Sequence, residues 1–166
     1  MSRSLKVTIA ALIAVAALTL GVVAASAATS GAHFVSASGS VNDAGALVVN
    51  WDEAGLGNQN IDYTLTADAS ATYACINGGD NHPKAANKET VQGQVSTGGS
   101  FQARNGRVQA SLTTGPLSAG AFSCPSGQTL VLACVSYTNI TLADTTNNVT
   151  ASIADVSRTF VPIKGC

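Results

Sequence analysis

The chain has 166 residues, of which 46% are apolar and only 10% charged. Nineteen of the apolar residues fall in the first 27 positions, and the 139 residues that remain suit one domain but not two ordinary ones. Those 139 residues carry six Lys/Arg against nine Asp/Glu, net −3, which excludes a basic nucleic-acid-binding surface.

The N-terminal segment reads as an address. Arg3 and Lys6 form a short positive region, Val7 to Val23 is mostly apolar, and Ala25-Ser26-Ala27 has the small-x-small form of a signal-peptidase site. The expectation is a signal peptide over residues 1–27, cleaved after Ala27, and a single exported domain over 28–166. A membrane anchor is the competing reading, but the small-residue site follows the apolar run at once. Nothing later is long and apolar enough to span a bilayer, so no membrane association is expected of the mature form.

Period-two alternation dominates the rest. A first strand contains Phe34 and Val35, and Asn42-Asp43-Ala44-Gly45 turns it into a second with Leu47, Val49 and Trp51 on one face. From Ile61 to Cys75 apolar and polar residues alternate over 15 positions, a half-buried strand with a bend or a switch between sheets expected near Ala69-Ser70. Residues 89–114 read as a three-strand meander, broken at Gly98-Gly99 and at Asn105-Gly106, a pair that accepts the positive φ values of a type I′ turn. A Gly/Pro/Ser loop covers 115–127. Leu130 to Val135 reads as a central strand, and the phase slip through Tyr137, Ile140 and Leu142 predicts a bulge. Asp144 to Asn148 turn the chain into a last strand, Val149 to Val161. The total is eight or nine strands and no helix after the signal, an all-β antiparallel sandwich, with a small closed barrel as the alternative. The core is expected to draw on Phe34, Leu47, Val49, Trp51, Ile61, Tyr63, Leu65, Phe101, Leu112, Leu130, Leu132, Val135, Ile153 and Phe160.

Export makes the four cysteines, Cys75, Cys124, Cys134 and Cys166, two disulfides. No C-x-x-C spacing supports zinc. Cys75 and Cys124 adjoin loops, while Cys134 lies in a strand onto which a tail ending in Cys166 could fold, so Cys75–Cys124 with Cys134–Cys166 is favoured. The rival arises if a simple hairpin at 144–148 carries Cys166 opposite the Cys124 region and leaves Cys75 for Cys134.

Catalytic signals are sparse. The only histidines are His33 and His82, and no nucleophile elbow, zinc-protease, phosphate-loop or dinucleotide motif is present. No cofactor is expected. Asp52 and Glu53 are adjacent carboxylates, and neighbours in a strand point to opposite faces, so they cannot act jointly on one substrate. Asp144, Asn147 and Asn148 bear oxygens suited to calcium but lack the spacing of a known calcium loop; a plain turn is the preferred reading, and no metal site is assigned. Trp51 reads as core and not as a sugar platform. Asn139-Ile140-Thr141 and Asn148-Val149-Thr150 match the glycosylation acceptor pattern, which matters only in a glycosylating host. The loop from Asn77 to Lys88 is long and polar. Asn81, His82, Lys84 and Lys88 are its candidate contacts to an anionic or polar partner, against the reading as an ordinary surface loop.

The blocks YACINGGDNHPKAANKE (Tyr73 to Glu89), SCPSGQTLVLA (Ser123 to Ala133) and VSYTNITLADTTN (Val135 to Asn147), with WDEAGLG (Trp51 to Gly57), resemble a group of small exported proteins of high-GC Gram-positive bacteria. The resemblance covers most of the mature chain and carries no assigned activity. It implies an immunoglobulin-like sandwich and favours Cys75–Cys124, whose cysteines lie in the first two blocks. Cys134 and Cys166 lie outside the shared pattern. The expected function is a secreted, non-enzymatic binding or surface-structural protein with an extracellular partner, protein or polysaccharide. The alternatives are a carbohydrate- or small-ligand-binding module with an open aromatic cleft, and an inhibitor of secreted hydrolases that uses the Ser118 to Ser126 loop as a plug.

Overall fold

The computed structural model describes residues 31–77 and 87–166. The expected signal peptide with its cleavage site at Ala27, and Asn81, His82 and Lys84 of the candidate loop, lie outside the described residues. Eight strands are found among the described residues: β1 (His33–Val41), β2 (Leu47–Ala54), β3 (Asn60–Asn77), β4 (Lys88–Gln102), β5 (Arg107–Thr114), β6 (Gln128–Asp144), β7 (Val149–Ile153) and β8 (Val156–Thr159). They form two antiparallel sheets, one ordered β1-β2-β5 and one ordered β4-β3-β6-β7 with β8 also on β6. The two ladders do not join. β4 lies beside β5, and β1 beside β7 and β8, where the sheets approach at their edges.

The core between the sheets follows the alternation. Leu47, Val49 and Trp51 point inward from β2; Ile61, Tyr63, Leu65, Ala67, Ala69 and Ala71 do so from β3. Trp51 is 4% exposed, its ring 4.8 Å from that of Tyr63 and 5.3 Å from that of Phe101. Phe34, Phe101, Leu112, Leu132 and Phe160 pack partly buried around this cluster. Leu130 departs from the expected core. It opposes Cys75 near the start of β6 and stays 39% exposed.

The sheets differ in length, and that difference shapes the molecule. β3 and β6 run 18 and 17 residues, while β2 and β5 run eight each. Beyond the end of the shorter sheet, the inner face of the longer one carries small residues, Ala69 and Ala71 among them. The 115–127 loop reaches this region: Leu117 sits over Gly93, and the Tyr73 hydroxyl donates to Leu117 O at 2.7 Å.

Four expectations need correction. Residues 88–102 form one strand, unbroken at Gly98-Gly99. Those glycines serve close approach and not a turn: a Cβ on Gly98 would lie 2.9 Å from Tyr63 O, and one on Gly99 would lie 2.9 Å from the Phe101 ring. Asn105 and Gly106 do take positive φ, 52° and 75°, and Arg104 and Arg107 bond each other's backbone across the turn. After that one bridge, β4 and β5 part into different sheets, so the turn is a crossover and not the middle of a meander. The switch between sheets expected as one possibility at Ala69-Ser70 is not there either. β3 pairs with β4 continuously from Asn60 to Ala74, and the irregularities lie against β6, between Thr66 and Asp68 and between Thr72 and Tyr73. Both extra residues belong to β6, and the one at Asn139 (φ 51°) is the bulge that the phase slip predicts. Finally, the last strand is split. β7 and β8 keep one register on β6, Asp144↔Val149 and Cys134↔Thr159, but Ala154 and Asp155 lie between them, beside the Asn139 bulge.

Candidate functional site

Both disulfides gather at one end of the sandwich. Cys75 bonds Cys124 and Cys134 bonds Cys166, across 49 and 32 residues. The β6–β8 hairpin is as simple as the rival pairing supposed. However, the chain leaves its register at Phe160 and Val161, whose amides both donate to Ala133 O, and turns again at Ile163–Cys166. That turn brings Cys166 back to Cys134 instead of carrying it on towards Cys124.

The first disulfide ties the 115–127 loop to the end of β3, from which the Asn77–Lys88 loop springs. The base of that loop is closed by Cys75 N donating to Asn87 O at 3.0 Å, and Asn87 Nδ2 reaches Gln128 Oε1 at 3.4 Å. Of the four candidate contact residues only Lys88 is described. It is half-buried, and its Nζ donates to Lys164 O at 2.5 Å, so it ties the loop base to the C-terminal tail. Ser118, Gly120, Ala121, Ser123, Pro125 and Ser126 stand exposed on the pinned loop. This end therefore offers a loop held by a covalent bond, a buried-side hydrogen bond from Tyr73 and the turn Phe122 N→Ala119 O.

The opposite end holds a constellation that adjacency in sequence obscures. Asp52 and Glu53 do face opposite ways. Asp52 points out and takes a bidentate pair from Arg107 at 2.6 and 2.5 Å and a bond from Gln109 at 2.8 Å. These hydrogen bonds hold its carboxyl below the ordinary range. Glu53 points in and is fully buried. Its Oε2 accepts the Tyr63 hydroxyl at 2.7 Å, while Oε1 and Trp51 Nε1 have no hydrogen-bond partner among the described residues. Burial pushes the Glu53 carboxyl up to about 7; the Asp144 carboxylate adds to this, and the Tyr63 bond and His33 oppose it. Burial also raises the Tyr63 phenol, so it remains a donor. The inward placement of Glu53 was signalled in the sequence, since the series Leu47, Val49, Trp51 extends by one step to it, but its partners Tyr63 and Asp144 were not.

Asp144, 1% exposed, has its oxygens committed. Oδ1 accepts Thr146 N and Asn147 N, each at 2.8 Å, and Oδ2 accepts Asn147 Nδ2 at 2.7 Å. These bonds make it a capped turn. Among the described residues no cluster of three or more His, Cys, Asp or Glu is placed to hold a metal ion, and no aromatic ring is among the exposed large apolar side chains, which are Val35 and Leu130. No helix of the described residues is long and apolar enough to cross a membrane.

No family model, curated protein or solved structure matches this chain.

Proposed function

We propose that this chain is an extracellular, non-enzymatic binding protein with an immunoglobulin-like sandwich, and that its recognition end is the one fastened by the two disulfides. The carrying observation is the placement of the bridges. Cys75–Cys124 ties the 115–127 loop to the root of the Asn77–Lys88 loop, and Cys134–Cys166 returns the C-terminus to the same end. Two intramolecular disulfides in an all-β fold fit an oxidising, extracellular-type environment. A loop ordered before it meets a partner loses less entropy on binding, so fixing it favours recognition. Binding loops on a rigid sheet scaffold are a common way for such folds to act.

The partner is an extracellular protein or polysaccharide. A sugar module built on an open aromatic cleft is disfavoured, because Trp51, Tyr63 and Tyr137 are buried and the exposed large apolar side chains among the described residues are Val35 and Leu130. An inhibitor of secreted hydrolases is the second reading, since the loop it needs, Ser118 to Ser126, is the pinned one. Mixing the protein in excess with a panel of secreted proteases and glycosidases separates the two: full residual activity removes the inhibitor. Affinity capture on cell-wall polymers, polysaccharides and culture-supernatant proteins tests the main reading.

A further inference from the structure

We propose that Glu53, Tyr63 and Asp144 form a proton-operated latch between the two sheets, closed when Glu53 carries a proton and loosened when it loses it. Glu53 belongs to β2 in the three-stranded sheet; Tyr63 and Asp144 belong to β3 and β6 in the five-stranded one. The Tyr63–Glu53 bond is a buried side-chain link between the sheets at this end, and Asp144 holds the β6–β7 turn through three bonds. That turn also grips β3, since Thr145 N donates to Asp62 O at 2.9 Å and Asp62 N donates to Thr146 Oγ1 at 2.9 Å.

The protonated state satisfies this arrangement. A proton on Glu53 removes a buried negative charge that the neighbouring Asp144 carboxylate opposes. The ionised state does not. Two carboxylates then share a site from which water is excluded, and a buried charge without a partner is costly. The surrounding groups offer little relief. From β1, His33 is the only basic group acting on Glu53 among the described residues. From β3 comes Tyr63, a donor already engaged; Asp62 faces outward. From β5, Arg107 is committed to Asp52 on the other face of β2. From β4 the neighbour is Phe101, which cannot titrate. The release of one proton therefore weighs on β2, β3 and the β6–β7 turn together. The Glu53 carboxyl titrates at about 7 against 4.5 in an open state. Linkage then gives about a thirtyfold rise in the local opening constant between pH 5.5 and 8.5.

The test is amide hydrogen exchange on the mature, oxidised protein at those two pH values, corrected for intrinsic exchange, in the wild type and in Glu53→Gln. Protection in 51–54, 61–64 and 143–149 is expected to fall by about thirtyfold in the wild type and to stay level in Glu53→Gln. Equal protection at the two pH values, or the same loss in Glu53→Gln, overturns the proposal. Should the variant not fold, the wild type alone decides. Trp51 is the only tryptophan and lies against Tyr63, so its fluorescence is expected to step near pH 7. A flat signal from pH 5.5 to 8.5 overturns the latch.

Discussion

Tyr63 donates its phenolic proton to Glu53 Oε2 at 2.7 Å, joining the two sheets inside a core from which both side chains exclude water. A carboxyl in that position has a raised pKa in the folded state, and the consequence for stability has a definite sign. Between 4.5 and about 7 the folded protein binds more protons than the unfolded chain. The contribution of Glu53 is thus fully present below pH 4.5 and is lost as pH rises through 7, to a total of about 3 kcal/mol. Urea unfolding from pH 5 to pH 8.5 is expected to show this decline in the wild type. Glu53→Gln should flatten it, because the amide still accepts from Tyr63 and carries no charge. A wild type that gains stability over the same range would contradict the assignment.

The two bridges close chains of similar length, 49 and 32 residues, and loop-closure entropy depends only weakly on length. Removing either pair, as Cys75→Ala/Cys124→Ala or Cys134→Ala/Cys166→Ala, is expected to cost roughly 2–4 kcal/mol. The effects should differ in kind. Loss of the first should free the 115–127 loop and expose Tyr73 to protease, while loss of the second should release only the tail beyond Phe160. Limited proteolysis that cuts both variants at the same places would argue against separate roles.

Gly115 marks where β5 gives way to that loop. Its φ is +75°, and a Cβ there would lie 2.5 Å from Tyr137 Oη, whose hydroxyl donates to Gly45 O at 2.7 Å. Gly115→Ala therefore meets both a disfavoured backbone region and a buried hydrogen bond, and should cost roughly 1–3 kcal/mol. Tyr137→Phe leaves Gly45 O without that donor and should cost about 1–2 kcal/mol. Thermal unfolding of the two variants checks the order; a Gly115→Ala protein as stable as the wild type would contradict it.

At the β6 bulge, Asn139 takes φ 51° and its Nδ2 donates to Asp68 at 2.8 Å. Asparagine and glycine tolerate this conformation and β-branched residues do not. Asn139→Gly should be nearly neutral, and Asn139→Val should cost about 1–2 kcal/mol. Equal denaturation midpoints for the two would mean the bulge can shift along the strand.

The residues that were legible from sequence are those whose partners lie on the same strand face. Leu47, Val49, Trp51 and the Ile61–Ala71 series follow period two and are buried as that period requires. The Asn139 bulge was legible because a phase slip leaves its trace in one strand. Features decided between strands were not. Gly98 and Gly99 look like a break, but they are small because Tyr63 O and the Phe101 ring come close. Asn105-Gly106 specifies its turn but not the sheets its arms join. Leu130 is apolar like its neighbours and is exposed because it lies near the end of the longer sheet. Glu53 hid behind Asp52. Its significance depends on Asp144, 91 positions away, and on Tyr63 across the core, neither of which a single strand reveals.

Recognition of an extracellular partner by the disulfide end is measured by retention on immobilised cell-wall polymers, polysaccharides and supernatant proteins. The decisive comparison sets the wild type beside a triple variant, Ser118→Arg, Ala121→Arg and Ser126→Arg, which places bulk and charge on three exposed loop positions without touching the core. The wild type should be held by at least one of these materials and the triple variant held at least about tenfold more weakly, a loss of 1.4 kcal/mol or more. Equal retention of the two proteins, or passage of the wild type through every material, would contradict the assignment of this end as the binding site.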